Sequence, residues 1–409
     1  MARPSGSIRV LCSSSPHLLI TPFTHYPFSI PPGMPLVNLN MRVLLLLPYA
    51  WDTSPSQRFR VEQWAPLLQA EGIELCPATL LTRPEQKLLY ANGGAAAKAM
   101  MLGRVLLRRL GQLKDLRQYD AIWLHRAAYP IGPPILERIF CRTGVPVIME
   151  FDDAIYLTNT SAANARWGGL KCAGKTTELC RLSTHVVVGN EYLAAYARQH
   201  NPNVSIIPTT IDTDAYEARE EYRASTPVVI GWSGSGTTVA HLRTLDRVIQ
   251  RVAQKAPIRL HVMGTSEYSL PGVDTRALEW SPEVELPELR DFDIGVMPLP
   301  DEEWARGKCA LKALQYMALG IPTVTAPVGV NAEIIRDGEN GFLAMTEDEW
   351  VDRLLSLVGD VKLRERVGRA GRATVVSEYS ATVQAPRVRE LLQRLARRRK
   401  PATATEMAS

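Results

Sequence analysis

The sequence lacks a long apolar run. Its strongest one, Val43–Leu47, is far short of the roughly 18 residues that a membrane-crossing helix needs. Cysteine is scarce: six in 409 residues, at positions 12, 76, 141, 172, 180 and 309, with no CxxC pair. That pattern argues against a zinc site and against a disulfide framework. Free thiols suit a reducing compartment, so a cytoplasmic protein is expected. The first 40 residues contain no Asp or Glu, yet hold seven of the 29 prolines. Ser13-Ser14-Ser15 interrupts any signal-peptide core there. Residues 1–40 therefore read as a disordered extension or a mis-assigned start, with the chain proper beginning at Met34 or Met41. An acid-poor presequence is the alternative.

What is present is ordinary for a globular protein: 46% apolar and 22% charged residues. The net charge of +5 is unevenly placed. Ala95–Gln118 holds six basic residues against one acidic, and Pro386–Lys400 holds seven against one. A partner that senses this excess is anionic. Neither segment interleaves aromatics with its basic residues, so a nucleic-acid role is disfavoured.

From Met41, short apolar stretches alternate with helical patterns, the rhythm of a parallel α/β sheet. Strands are expected at Val43–Leu47, Ile73–Ala78, Ala121–Leu124, Val145–Glu150, Val186–Val188 and Val204–Ile207. After a charged linker, Asp212–Pro227, a second series follows near Val228–Trp232, Ile258–Met263, Asp293–Met297, Pro322–Thr325 and Phe342–Ala344. Helices are expected around Val239–Ala256, Cys309–Leu319, Asn331–Arg336 and Glu347–Val358. The fold class is thus α/β, with two Rossmann-like doubly wound domains facing across a cleft. The expected boundaries are 41–215 for an acceptor-side domain, 216–380 for a donor-side domain and 381–409 for a basic helix and tail. Ligands of open α/β sheets bind beyond the carboxyl ends of the strands.

Gly231-Trp232-Ser233-Gly234-Ser235-Gly236-Thr237-Thr238 joins a strand to a helix. Gly234, Ser235 and Gly236 let the backbone approach a phosphate at a helix N-terminus. No Lys-Ser/Thr pair follows, so this is not a Walker loop, nor does it match GxGxxG. The same residues also suit a plain tight turn. Lys308 and Lys312 flank the start of the helix expected at Cys309–Leu319, four residues apart and with Arg306 just before them, and so place positive charge where the helix dipole disfavours it. A bound diphosphate would remove that conflict; solvated surface lysines are the alternative.

Three stretches resemble the donor-domain core of the GT-B glycosyltransferases, and of glycosyltransferase family 4 in particular: Asp293-Ile294-Gly295-Val296-Met297-Pro298-Leu299, Arg306-Gly307-Lys308-Cys309 and Leu314-Gln315-Tyr316-Met317-Ala318-Leu319-Gly320-Ile321-Pro322. Ile207-Pro208-Thr209-Thr210-Ile211-Asp212, the run from Gly329 through Glu333 to Leu343, and Gln57-Arg58-Phe59-Arg60 extend the likeness over about Met41 to Tyr379. The resemblance implies a retaining transferase that takes a sugar from a nucleoside-diphosphate sugar, without a metal or other cofactor. It implies donor contacts from Gly234, Ser235, Gly236, Lys308, Lys312, Gln315, Asn331 and Glu333. It places His125 at the acceptor side, where a satisfied histidine at a strand end is the alternative. Asp152 and Asp153 are further acceptor-side candidates with Glu150; lining the site or capping a loop suits the pair better than metal binding.

One departure stands out. Family members often carry two glutamates eight residues apart, and here Gly307 and Gln315 occupy those positions. An amide still bonds ribose hydroxyls, but glycine offers no side chain. A non-catalytic scaffold or regulatory subunit, and a nucleotide-sugar epimerase, remain the rival readings. The acceptor is expected to be a glycan, a lipid-linked molecule or a small molecule. The basic amphipathic stretch with Lys98, Arg104, Arg108, Arg109, Lys114 and Arg117 adds an anionic membrane surface as a partner, on its inner face. The same pattern also fits a helix packed on the sheet.

Overall fold

The computed structural model describes residues 41–399 apart from 92–93, 158–171, 173 and 225. The expected extension 1–40 and the tail 400–409 lie outside the described residues.

The first lobe is built on a parallel sheet of β1 (Met41–Leu47), β2 (Ile73–Thr79), β3 (Ala121–His125), β4 (Val147–Phe151), β5 (His185–Val188) and β6 (Val204–Ile206), in the order β2-β1-β3-β4-β5-β6. The near-continuous apolar run of β1 follows from helices covering both faces of the sheet. Leu44 and Leu46 enter one core cluster, while Val43, Leu45 and Leu47 enter another.

The second lobe repeats the plan with β7 (Val228–Ser233), β8 (Ile258–Met263), β9 (Asp274–Leu278), β10 (Ile294–Met297), β11 (Thr323–Thr325) and β12 (Phe342–Leu343), ordered β12-β11-β10-β7-β8-β9. Both sheets reverse direction of winding once, between β1 and β3 and between β7 and β10. Such switch points open a crevice at the carboxyl ends of the strands. The residues that follow β1, β3, β7 and β10 are thus placed to meet a ligand.

Several local expectations change. The helix expected over Val239–Ala256 is two, Val239–Arg243 and Asp246–Ala253. Strand β9 and the helix Pro282–Arg290 carried no sequence-level assignment. β9 is partly exposed, with polar Asp274, Thr275 and Arg276, and Pro287 sits inside that helix. The C-terminal basic stretch forms Val361–Thr374, a π-helical turn and Ala381–Arg399. The last helix returns to the first lobe, where Val388, Leu391, Leu392 and Leu395 pack with Leu45, Trp64 and Trp123.

The lobes share cores at their junction. Phe59 of the first enters the apolar cluster of the second and meets Tyr216 edge-on at 6.0 Å. Cys309 of the second enters the cluster of the first.

Candidate active site

His125 is the last residue of β3 and is buried. Its Nδ1 lies 2.5 Å from Glu150 Oε2, and its Nε2 lies 3.1 Å from the Ser56 hydroxyl. Glu150, on β4, accepts a second bond from Arg60 Nε at 2.8 Å. Arg60 in turn donates to the Ile207 carbonyl at 2.5 Å. Burial opposes the charge on Arg60, yet Glu150 beside it raises its pKa. A carboxylate only accepts, so Nδ1 carries the proton toward Glu150 and Nε2 is turned to the Ser56 hydroxyl.

Asp152 and Asp153 follow β4 directly. Arg126, the residue after His125, donates to Asp152 at 2.7 Å, Asp153 at 2.8 Å and Ser56 at 2.9 Å. Its backbone adopts a left-handed φ of 64°, a strained choice for an arginine that turns its side chain back to the two carboxylates. Burial by itself would raise the Asp152 carboxyl. Arg126, helped by His125 and Arg60, overcomes that and holds it well below the usual carboxylate range. With its charge already matched by a guanidinium, the Asp152-Asp153 pair suits an organising role.

The second lobe brings its cations to this point. Lys308 Nζ lies 3.6 Å from Asp153 across the cleft. Lys312 sits over the Trp232 ring at 5.1 Å. Burial, with Lys308 beside it, pushes the Lys312 ammonium down to about 7, against the pull of Asp153. On the helix after the glycine loop, burial and then the charges of Lys312 and Lys308 push His241 down to about 4. The loop helix and the two lysines therefore share one electrostatic environment. The lysines flank the start of a helix, as expected. The helix is Leu311–Ala318, so Lys308 precedes it, and Ala310 at φ 54° turns the chain between them. Arg306 is engaged outside by Asp301 at 2.7 Å.

The loop itself is tight at its root and open at its tip. A Cβ on Gly234 would come 2.1 Å from the Trp232 ring, whereas Gly236 has nothing within 4 Å of such an atom. Ser235 accepts the Thr238 and Val239 amides, closing a one-turn cap.

Three donor-side candidates sit apart from the cluster of lysines and carboxylates. Gln315 is buried and donates to Tyr216 at 2.9 Å and Glu285 at 3.2 Å. Asn331 is buried and donates to the Ala326 carbonyl. Glu333 is exposed on a single helical turn. Their turn is nevertheless adjacent, because a Cβ on Gly329 would lie 2.7 Å from the Arg306 carbonyl. Beyond β10 and β11, a cavity of about 330 Å³ is lined by Pro298, Leu299, Ala326, Val328 and Trp350 among others.

Ser56, Arg126 and Glu285 join the site without having been anticipated. Arg126 stood beside His125 and shared its strand-end signal. Ser56 carried none. Glu285 takes Arg58 Nη1 at 2.7 Å across the lobes, whereas Arg60 of the same segment bonds within the first lobe.

Residues 227–360 match the family model described as Glycosyl transferases group 1. No curated protein matches. Among solved structures, the chain is similar to sucrose-phosphate synthase from Thermosynechococcus elongatus (13% identity, 87% of this chain and 99% of that one, TM-score 0.63). It is also similar to a glycosyltransferase from Rickettsia africae (11%, 87% and 99%, TM-score 0.61). A third is Anabaena HepE in complex with UDP-glucose (13%, 87% and 100%, TM-score 0.59). The two facing six-stranded parallel sheets are thus those of the GT-B fold.

Proposed function

We propose that this chain, a glycosyltransferase of the GT-B fold with a group 1 glycosyl transferase segment at 227–360, moves a sugar from a nucleoside-diphosphate sugar to an acceptor hydroxyl, with retention at the anomeric carbon. The observation that carries the reading is the approach of Lys308, which shares its surroundings with Lys312 and the helix after the Gly234–Gly236 loop, to Asp153, which Arg126 groups with Asp152 beside His125. Retention rests on the resemblance to family 4.

In this reading the lysines and the loop amides hold the diphosphate. Charge-assisted bonds to a departing phosphate strengthen as its charge grows in the transition state. Lys308 trades Asp153 for the ligand. Asn331, Glu333 and Gln315 support the sugar and ribose end from behind the diphosphate. His125 Nε2 receives or polarises the acceptor hydroxyl, oriented by Glu150. Lobe contact keeps out water, whose attack would consume the donor. The reaction as proposed uses no metal or other cofactor.

The acceptor is a glycan, a lipid-linked molecule or a small molecule. The helix Ala95–Gly111 favours a lipid-linked one. Its Met101 and Val105 pack on Leu80 and Leu81, but Met100 and Leu107 stay exposed at 64% and 68% beside basic residues. Arg109 does not belong to that face, since it is buried and donates to the carbonyls of Leu47, Ala78 and Ala128. No helix among the described residues is long and apolar enough to cross a membrane. In this reading the exposed face attaches peripherally, on the cytoplasmic side.

Calorimetric titration with UDP, GDP and ADP tests the donor site. Binding of one of them, lost in Lys308→Ala, is the expected result and selects the donor for an activity screen. Absence of any binding overturns the reading and leaves a scaffold with Gly307 and Gln315 in place of two glutamates. Donor consumption without acceptor would instead point to an epimerase.

A further inference from the structure

On the opposite side of β7 from β10, a second group of polar side chains is incompletely bonded. His261 on β8 is only 4% exposed, and neither of its ring nitrogens has a hydrogen-bond partner. A buried imidazole ordinarily finds one. The helix Pro282–Arg290 ends close to this strand. One ligand atom each from His261, Glu288 and Asp291 lies within 4.8 Å of the other two. Arg276 on β9 holds Glu288 through Oε1 at 2.5 Å and approaches Asp291 Oδ2 at 3.9 Å. Glu288 Oε2 is left buried and unpartnered. Both carboxylates stand at the C-terminal end of their helix, where the dipole disfavours negative charge.

We propose that His261, Glu288 and Asp291 bind one divalent transition-metal ion of the zinc type. An imidazole nitrogen with two carboxylate oxygens is a ligand set zinc accepts, a water completing the tetrahedron. Calcium and magnesium prefer oxygen alone. Donors about 2.0–2.2 Å from a shared centre stand closer together than 4.8 Å, so the three side chains draw in slightly on binding. Asp291 is exposed and provides the entry. Arg276 keeps its Oε1 contact and serves as an outer partner of Glu288. The ion would tie β8 to the helix whose Glu285 grips Arg58 of the other lobe. Its role is therefore to brace the second lobe, and the sugar transfer proposed above stays metal-free.

The untagged full-length protein, stripped with EDTA and dialysed, is titrated with ZnCl2 by calorimetry and followed by thermal unfolding. Co2+ serves as a spectroscopic probe. The expected result is one equivalent bound, a raised Tm and visible Co2+ absorption from a low-symmetry site. Glu288→Gln should weaken the affinity about tenfold or more, and His261→Phe should abolish it. If His261→Phe fails to fold, Glu288→Gln and Asp291→Asn carry the test. Absence of stoichiometric binding, or binding undiminished in Glu288→Gln and Asp291→Asn, overturns the proposal.

Discussion

Gly307 of the second lobe lies directly against Ala154 of the first: a Cβ built on Gly307 would stand 2.8 Å from the Ala154 Cβ and 3.0 Å from its backbone nitrogen. The missing glutamate at this position is thus matched by a close approach of the two lobes. Asn190 reinforces it by donating to the Gly307 and Lys308 carbonyls at 3.2 and 3.0 Å.

Gly307→Glu should therefore hold the lobes apart rather than restore a carboxylate to the site. The expected outcome is a larger radius of gyration in small-angle scattering and at least about a tenfold loss of kcat/KM, comparable with other misplacements of a reacting geometry. An unchanged radius with higher activity would contradict the steric argument.

Nucleotide binding should carry the signature of Lys312. Its folded pKa of about 7 is below the ordinary lysine value of 10.5. A bound anion favours the charged form, so binding above pH 7 takes up a proton. Affinity for the nucleoside diphosphate should fall by up to about tenfold per pH unit between pH 7 and 9. Calorimetry in buffers of different ionisation enthalpy measures the uptake, and Lys312→Met should remove it. The unfolded chain keeps that proton up to about pH 10, so this group's contribution makes the fold more stable as pH rises from 7 toward 10.

His125 and Glu150 should separate chemistry from stability. His125→Ala is expected to lower kcat by about 10²–10⁴ with modest change in donor affinity. Glu150→Gln leaves Arg60 buried without its carboxylate, at a cost of about 3–5 kcal/mol in urea unfolding. A His125→Ala enzyme with unchanged kcat would remove it from the acceptor side.

Arg58→Ala removes the cation that faces buried Glu285, which then keeps Trp280 Nε1 at 3.0 Å, Tyr216 and Gln315. A loss of about 1.5–3 kcal/mol is expected for one charged hydrogen bond. The double variant Arg58→Ala/Glu285→Gln should lose less than the sum of the singles.

Membrane attachment is tested by cosedimentation with vesicles containing phosphatidylserine or with phosphatidylcholine alone. Wild type should pellet with the anionic vesicles, and Met100→Asp/Leu107→Asp should remain in the supernatant at unchanged Tm. Equal behaviour of the two proteins would leave the exposed pair without that role.

The α/β rhythm was readable because buried parallel strands must be short, apolar and separated by helices. The Val43–Leu47 run, the Ala121–Leu124 stretch ending beside His125 and the glycines after β7 all announced themselves this way. β9 escaped, since a half-buried edge strand such as Asp274–Leu278 needs no continuous apolar signature. The helix with Glu285 escaped because it carries two prolines: Pro282 opens it, where proline is tolerated, but Pro287 lies in its interior, where local propensity opposes a helix.

The amino-acid sequence by itself determined the two doubly wound lobes and the residue types able to grip a diphosphate, because strand periodicity and turn chemistry are local properties. Only the tertiary structure decided which charges meet. Lys308 faces Asp153 from 155 positions away along the chain, Arg58 reaches Glu285 across 227, and Ala310 bends the backbone so that the two lysines converge from a loop and a helix. Those pairings depend on how the lobes pack, which no local pattern encodes.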